Sequence, residues 1–202
     1  MKKQIVFIRG GETFANKADF YEYISTVSLD PYKQKKSWRD WIIEVLKDEY
    51  DFLSPVMPSK QDADYKAWKI WFERHFDFIK NEDLILIGSS LGATFLLKYL
   101  SENNFPKKIL QLHLVVPAVF NDGLTLEKLN TFEFDIKKIN KISEMCDEIY
   151  LWASKDDPLV SFENSEMVKE NLPNVKFNVF ENRGHFFVET FPEILEIIKK
   201  VK

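Results

Sequence analysis

The chain has 202 residues, 45% hydrophobic and 30% charged, a composition that excludes disordered, collagen-like and coiled-coil chains; this length suffices for one domain that buries roughly 70% of its unfolded surface. Lysine and arginine total 28 against 32 aspartates and glutamates, a net charge of -4, so no basic field exists for a nucleic-acid backbone and nucleic acid is not expected as a partner. The only cysteine, Cys146, excludes an internal disulfide framework or a CxxC site and fits a reducing compartment.

Short apolar or β-branched runs alternate with longer segments of helical period, which predicts a six-stranded, mainly parallel α/β sheet with helices on both faces. The first run is Gln4–Ile8. It is too short for the core of a secretion signal. An aromatic-rich stretch, residues 12–36, follows it, and Trp38, Trp41, Ile42, Val45 and Leu46 then form a helical stripe before the second run, Phe52–Met57. Trp68, Trp71, Phe72, His75, Phe76 and Ile79 form another stripe, which makes His75 a core histidine. The third run, Leu84–Ile87, leads into a helix over Ala93–Leu100, and the fourth, Ile109–Val116, places His113 in the packing of the sheet.

A second long stretch, residues 118–143, precedes the fifth and sixth runs, Ile149–Ala153 and Lys176–Phe180. Phe187, Phe191, Ile194, Leu195 and Ile198 then predict a closing helix. Residues 12–36 and 118–143 are longer than connections in a compact sheet usually are, and both are candidate lid segments. No repeat, linker or low-complexity tract interrupts the chain, so residues 1–202 read as a single domain. The longest apolar span, Leu84–Leu100, is broken by Gly88, Ser89, Ser90, Gly92 and Lys98 and falls short of the ~20 apolar residues a membrane-spanning helix needs. A soluble cytoplasmic protein is expected.

Gly88-Ser89-Ser90-Leu91-Gly92 lies between the third strand and its helix, the strand, turn and helix context of a Gly-x-Ser-x-Gly nucleophile elbow. A serine on so tight a turn needs residues without side chains two before and two after it, which Gly88 and Gly92 supply. The turn would present the Ser90 hydroxyl at the carboxyl edge of the sheet and leave the Leu91 N–H free at a helix start to stabilise an oxyanion. A Gly/Ser turn that only caps a helix would look similar, so the reading requires a base and a carboxylate.

Of the three histidines, His185 alone sits in a turn between a strand and a helix, Asn182-Arg183-Gly184-His185-Phe186, at the strand end where α/β sites assemble. Asp156 and Asp157, in Ser154-Lys155-Asp156-Asp157-Pro158-Leu159-Val160, follow the fifth strand, where an aspartate can accept the imidazole N–H; helix capping or loop polarity is the competing reading. The order serine, aspartate, histidine, each after a different strand, is that of α/β-hydrolases.

On these three motifs the chain resembles the α/β-hydrolase superfamily and is similar to its small retinoblastoma-binding-protein-9-like serine hydrolases. The resemblance implies a strand order of 2-1-3-4-5-6 and a triad of Ser90, Asp157 and His185, the acid being the aspartate directly before the proline. It also implies hydrolysis of esters, thioesters or amides through an acyl-enzyme. Where superfamily members often carry His-Gly after the first strand, this chain has Arg9-Gly10-Gly11-Glu12, so Gly11 is the expected second oxyanion donor beside Leu91, with Gly10 and Glu12 as alternatives. Arg9-Gly10-Gly11-Glu12-Thr13 also looks like the start of histidine phosphatases, but Gly10 stands where their nucleophilic histidine would be.

The expected function is therefore serine hydrolysis of a small ester-like substrate with an apolar group, without metal or organic cofactor. The rival reading is a catalytically silent α/β-hydrolase fold used for protein interaction.

Overall fold

A strand buried on both faces is apolar at nearly every position, and the central strands follow that rule with Gln4, Gln111 and His113 as buried exceptions. In β1 (Lys3–Ile8) the side chains of Ile5 and Phe7 enter one core layer and those of Val6 and Ile8 the other, all fully buried. The computed structural model describes residues 2–32, 36–121 and 126–201. Its sheet contains β2 (Tyr50–Leu53), β1, β3 (Asp83–Ser89), β4 (Lys108–Val115), β5 (Cys146–Ser154) and β6 (Val175–Phe180), in that order and parallel throughout. This is the α/β-hydrolase arrangement expected from the sequence.

Helices cover both faces. On one, α3 (Tyr65–Arg74), α4 (Leu91–Glu102) and α5 (Phe162–Asn171) bury Trp68, Phe72, Phe95 and Val168. On the other, α2 (Trp38–Leu46) and α6 (Pro192–Ile198) bury Trp38, Ile42, Leu46, Ile194 and Ile198. Among the described residues, no helix is long and apolar enough to cross a membrane.

Several boundaries differ from the sequence expectation, for local reasons. β2 pairs with β1 only from Tyr50 to Leu53, upstream of the expected Phe52–Met57. Beyond it the Ser54 hydroxyl donates to the Phe7 carbonyl, and Pro55 has no N–H to continue a ladder. His75 is not a core histidine: α3 ends at Arg74, a 3₁₀ turn over His75–Phe78 changes the phase of the stripe, and His75 is half-buried with Nδ1 at 2.7 Å from the Trp71 carbonyl oxygen. His113 is in the core, fully buried, and burial pushes its pKa down to about 3. Its Nδ1 accepts from Trp152 Nε1–H at 3.2 Å, so Nε2 carries the proton and donates to Gln111 Oε1 at 3.2 Å. Phe187 lies outside the closing helix and is 70% exposed.

Of the two lid stretches, residues 33–35 and 122–125 lie outside the described residues. The first contains α1 (Lys17–Thr26), started by the Asn16 side chain, which accepts from the Ala18 and Asp19 N–H groups; α1 has no buried residue. In the second, Phe132, Ile139 and Ile142 are fully buried in the core layer of α4. An isolated antiparallel bridge, Phe14 to Glu127, joins the two stretches.

Truncating a filled core site removes transfer energy and leaves a cavity, whereas truncating an exposed ring does neither. Phe132→Ala is expected to cost about 3–4 kcal/mol, a fall of roughly 10 °C in the melting midpoint followed by circular dichroism. Tyr21→Ala, on α1, should stay within about 2 °C of the parent.

Candidate active site

β3 enters α4 through Ser90, whose φ of 55° and ψ of -129° lie in a region that non-glycine residues avoid. Such a conformation costs about 1–3 kcal/mol and persists only where its surroundings enforce it. Here the Ser90 N–H donates to the Val115 carbonyl at 2.8 Å, and the Ser90 carbonyl accepts from the Ala93 and Thr94 N–H groups at 2.8 and 3.1 Å. The flanking glycines permit the turn by close approach. A Cβ on Gly88 would lie 2.6 Å from Ala93 Cα, and one on Gly92 would overlap the carbonyl oxygens of Ile8 and Arg9. Leu91 is the first residue of α4, so its N–H has no acceptor within the helix.

His185 arrives from the turn after β6 and Asp157 from the turn after β5, both at the carboxyl ends of parallel strands. His185 Nε2 lies 2.8 Å from Ser90 Oγ, and its Nδ1 lies 2.8 Å from Asp157 Oδ2 and 3.1 Å from Oδ1. Because an ionised carboxylate only accepts, Nδ1 carries the proton and Nε2 is left to accept from the serine hydroxyl. The side chains of His185 and Asp157 are 4% and 1% exposed. Asp157 Oδ1 also accepts from the Leu159 and Val160 N–H groups at 2.9 and 3.0 Å, which fixes the carboxylate before it meets the imidazole.

The adjacent Asp156 has a different position, one that sequence reasoning missed. Its Oδ1 accepts from the Ser154 hydroxyl at 2.6 Å and from the Gly184 N–H at 2.9 Å, while Ser154 Oγ accepts from the Arg183 N–H at 2.8 Å. The two residues tie the turn after β5 to the one carrying His185. The bond from Ser154, then that from Gly184, holds the Asp156 carboxyl below its ordinary pKa. No local pattern marks this latch, because its partners are about thirty residues apart in the chain.

A narrow cavity of about 70 Å³ opens above Ser90, lined by Leu91, His185 and Gly11 and walled by Phe120, Leu129, Leu159 and Val160. The Glu12 N–H is taken up by the Lys60 carbonyl at 2.7 Å, which leaves Gly10 and Gly11 as candidates for the second donor. Gly10 packs against Ser90, since a Cβ there would lie 3.0 Å from Ser90 Cβ; Gly11 borders the cavity itself. Asn121, Glu127 and Lys128 add a polar rim that the sequence did not indicate. Burial, with the nearby Glu12 charge, raises the Glu127 pKa to about 7, and burial raises that of Glu12. Among the described residues, no three histidine, cysteine, aspartate or glutamate side chains come together as metal ligands.

This sheet order, with a strained serine turn after its third strand, defines an α/β-hydrolase. The chain belongs to the serine hydrolase family, whose model matches residues 33–200. No curated protein matches it in sequence. Among solved structures it is similar to the ydeN gene product of B. subtilis, with 18% identity over 98% of this chain and 97% of that one and a TM-score of 0.73. The meta-cleavage product hydrolase of Pseudomonas fluorescens shares 12% identity over 99% of this chain and 92% of its own, with a TM-score of 0.67. A serine hydrolase of Cycloclasticus zankles shares 13% over 99% and 89%, with a TM-score of 0.63. At such identities the likeness is one of fold.

The Glu127 carboxyl is easier to bury neutral than charged, so its raised pKa makes it a pH-dependent liability. Its penalty is absent below the ordinary carboxyl pKa, grows as pH rises from there to about 7, and is constant above. Glu127→Gln is therefore expected to stabilise the protein by about 1–2 kcal/mol at alkaline pH and to have no such effect in mild acid. Paired thermal melts across that range will check the sign.

Proposed function

We propose that the protein hydrolyses carboxylic esters, with thioesters and amides as chemically related substrates, through Ser90, His185 and Asp157. The observation that carries this reading is the pair of 2.8 Å contacts that link serine, imidazole and carboxylate in one line. The hydroxyl of a serine is inert at neutral pH until a base takes its proton, and His185 Nε2 lies within reach to do so. Ser90 Oγ attacks the acyl carbonyl, and the Leu91 and Gly11 N–H groups accommodate the oxyanion. Asp157 keeps His185 in the required tautomer and stabilises the imidazolium. His185 then returns the proton to the leaving oxygen, giving the acyl-enzyme and an alcohol. Water, deprotonated by the same imidazole, releases the acid and restores Ser90.

The walls of the cavity support a preference for an apolar acyl or alkyl group, because Phe120, Leu129, Leu159 and Val160 offer few polar partners. Residues 12–36 and 118–143 contribute Thr13, Phe120, Asn121 and Leu129 to those walls, in keeping with a role as covering segments.

A fluorophosphonate probe is expected to label the parent protein and spare Ser90→Ala; labelling of both would disprove the assignment. On p-nitrophenyl esters, Ser90→Ala and His185→Ala should each lose about 10⁴-fold or more in kcat, and Asp157→Asn about 10³–10⁴-fold. Rates across straight-chain esters should rise with acyl length until the narrow cavity is filled, and a flat profile would remove the apolar-group assignment.

A further inference from the structure

The first turn of α2 touches both loops from which the serine and the histidine come. Arg39 donates to the Ser89 hydroxyl oxygen from Nε at 3.2 Å and from Nη2 at 3.0 Å. Ser89 is fully buried and immediately precedes Ser90. One residue before Arg39, the Trp38 N–H donates to the Val188 carbonyl at 2.9 Å, three residues past His185. The Trp38 ring stacks on Phe7 at 5.4 Å and meets Phe191 edge-on at 5.3 Å, so this turn is itself rigidly seated.

We propose that Arg39 is a positioning residue for the chemistry at Ser90: its fork on Ser89 braces the strained elbow that holds the hydroxyl in place. The proposal rests on the hydrolase reading above and extends it to a residue outside the triad and the oxyanion donors.

The guanidinium lies over the Trp38 ring at 5.5 Å and is half-buried. Among the described residues no carboxylate lies within ion-pairing distance of it, because its neighbour Asp40 pairs instead with Arg9 at 2.7 Å. Desolvation, and then the repulsion of Arg9, lowers the Arg39 pKa to about 10, with Asp40 opposing. The charge is thus kept at a cost, and two of its N–H groups converge on one hydroxyl, that of Ser89.

The test compares the parent with Arg39→Met, Arg39→Lys and Ser89→Ala, measuring fluorophosphonate labelling, kcat and KM for p-nitrophenyl acetate, and melting midpoints. Arg39→Met should lower kcat about tenfold or more with KM within about twofold. Ser89→Ala, which removes the acceptor of the fork, should lower kcat in the same way with KM likewise held. Arg39→Lys, which keeps a donor but not the fork, should recover part of the rate. A kcat for Arg39→Met within about twofold of the parent overturns the proposal, as does a loss in all three variants that merely follows the unfolded fraction. Failure of the parent protein to react with the probe would overturn the hydrolase reading and this inference together, whereas a reactive parent with unaffected variants refutes the inference alone.

Discussion

The structure turns on a single backbone conformation that its own residue disfavours. Ser90 sits at a φ of 55°, and every element around it serves to make that conformation the least costly one available. Two N–H groups of α4 donate to its carbonyl, and the end of β4 supplies a carbonyl that accepts from its N–H. The glycines at positions 88 and 92 let the helix approach the strand and the end of β1 more closely than any side chain would allow. Strain held this way is useful, because it sets a hydroxyl clear of the sheet edge at a fixed angle before any substrate arrives.

The remaining site residues follow from the parallel topology. All six strands point the same way, so the turns after β3, β5 and β6 gather at one end of the sheet although residues 90 and 185 are far apart in the chain. Within those turns labour is divided between adjacent aspartates. Asp157 turns inward against the imidazole, and Asp156 turns outward to bind the backbone of the turn that carries it. Neighbouring residues in an extended turn point in different directions, so two identical side chains can serve different ends.

The sequence was most readable where one residue type alone can satisfy a local demand. The elbow required glycines at two places around a serine and had them, and an apolar run with a helix behind it set the context. His185 stood out because the other two histidines lie within helical or strand patterns. Where tertiary contacts decide, the pattern misleads: the apolar spacing of α3 runs on through a 3₁₀ turn to His75, and the final stripe reaches back to Phe187 although Pro192 begins the helix. The helix α1 has Asn16 at its start but buries nothing, so it carries no apolar stripe for a pattern to show. The rim carboxyl of Glu127 and the Arg39 contact with Ser89 join residues distant in the chain, and no spacing rule finds such pairs.

That superficial helix has an energetic consequence. α1 is held mainly by the rings of Phe20 and Tyr23 against Phe14, at 5.5 and 5.1 Å, and by an ion pair between Lys17 and Asp62, while Ile24 and Leu29 face water. Detaching it therefore exposes little apolar surface, and the free energy of such a sub-global opening is far below that of melting the sheet. This segment is therefore a unit separate from the core, and α1 and the sheet belong to different tiers of stability.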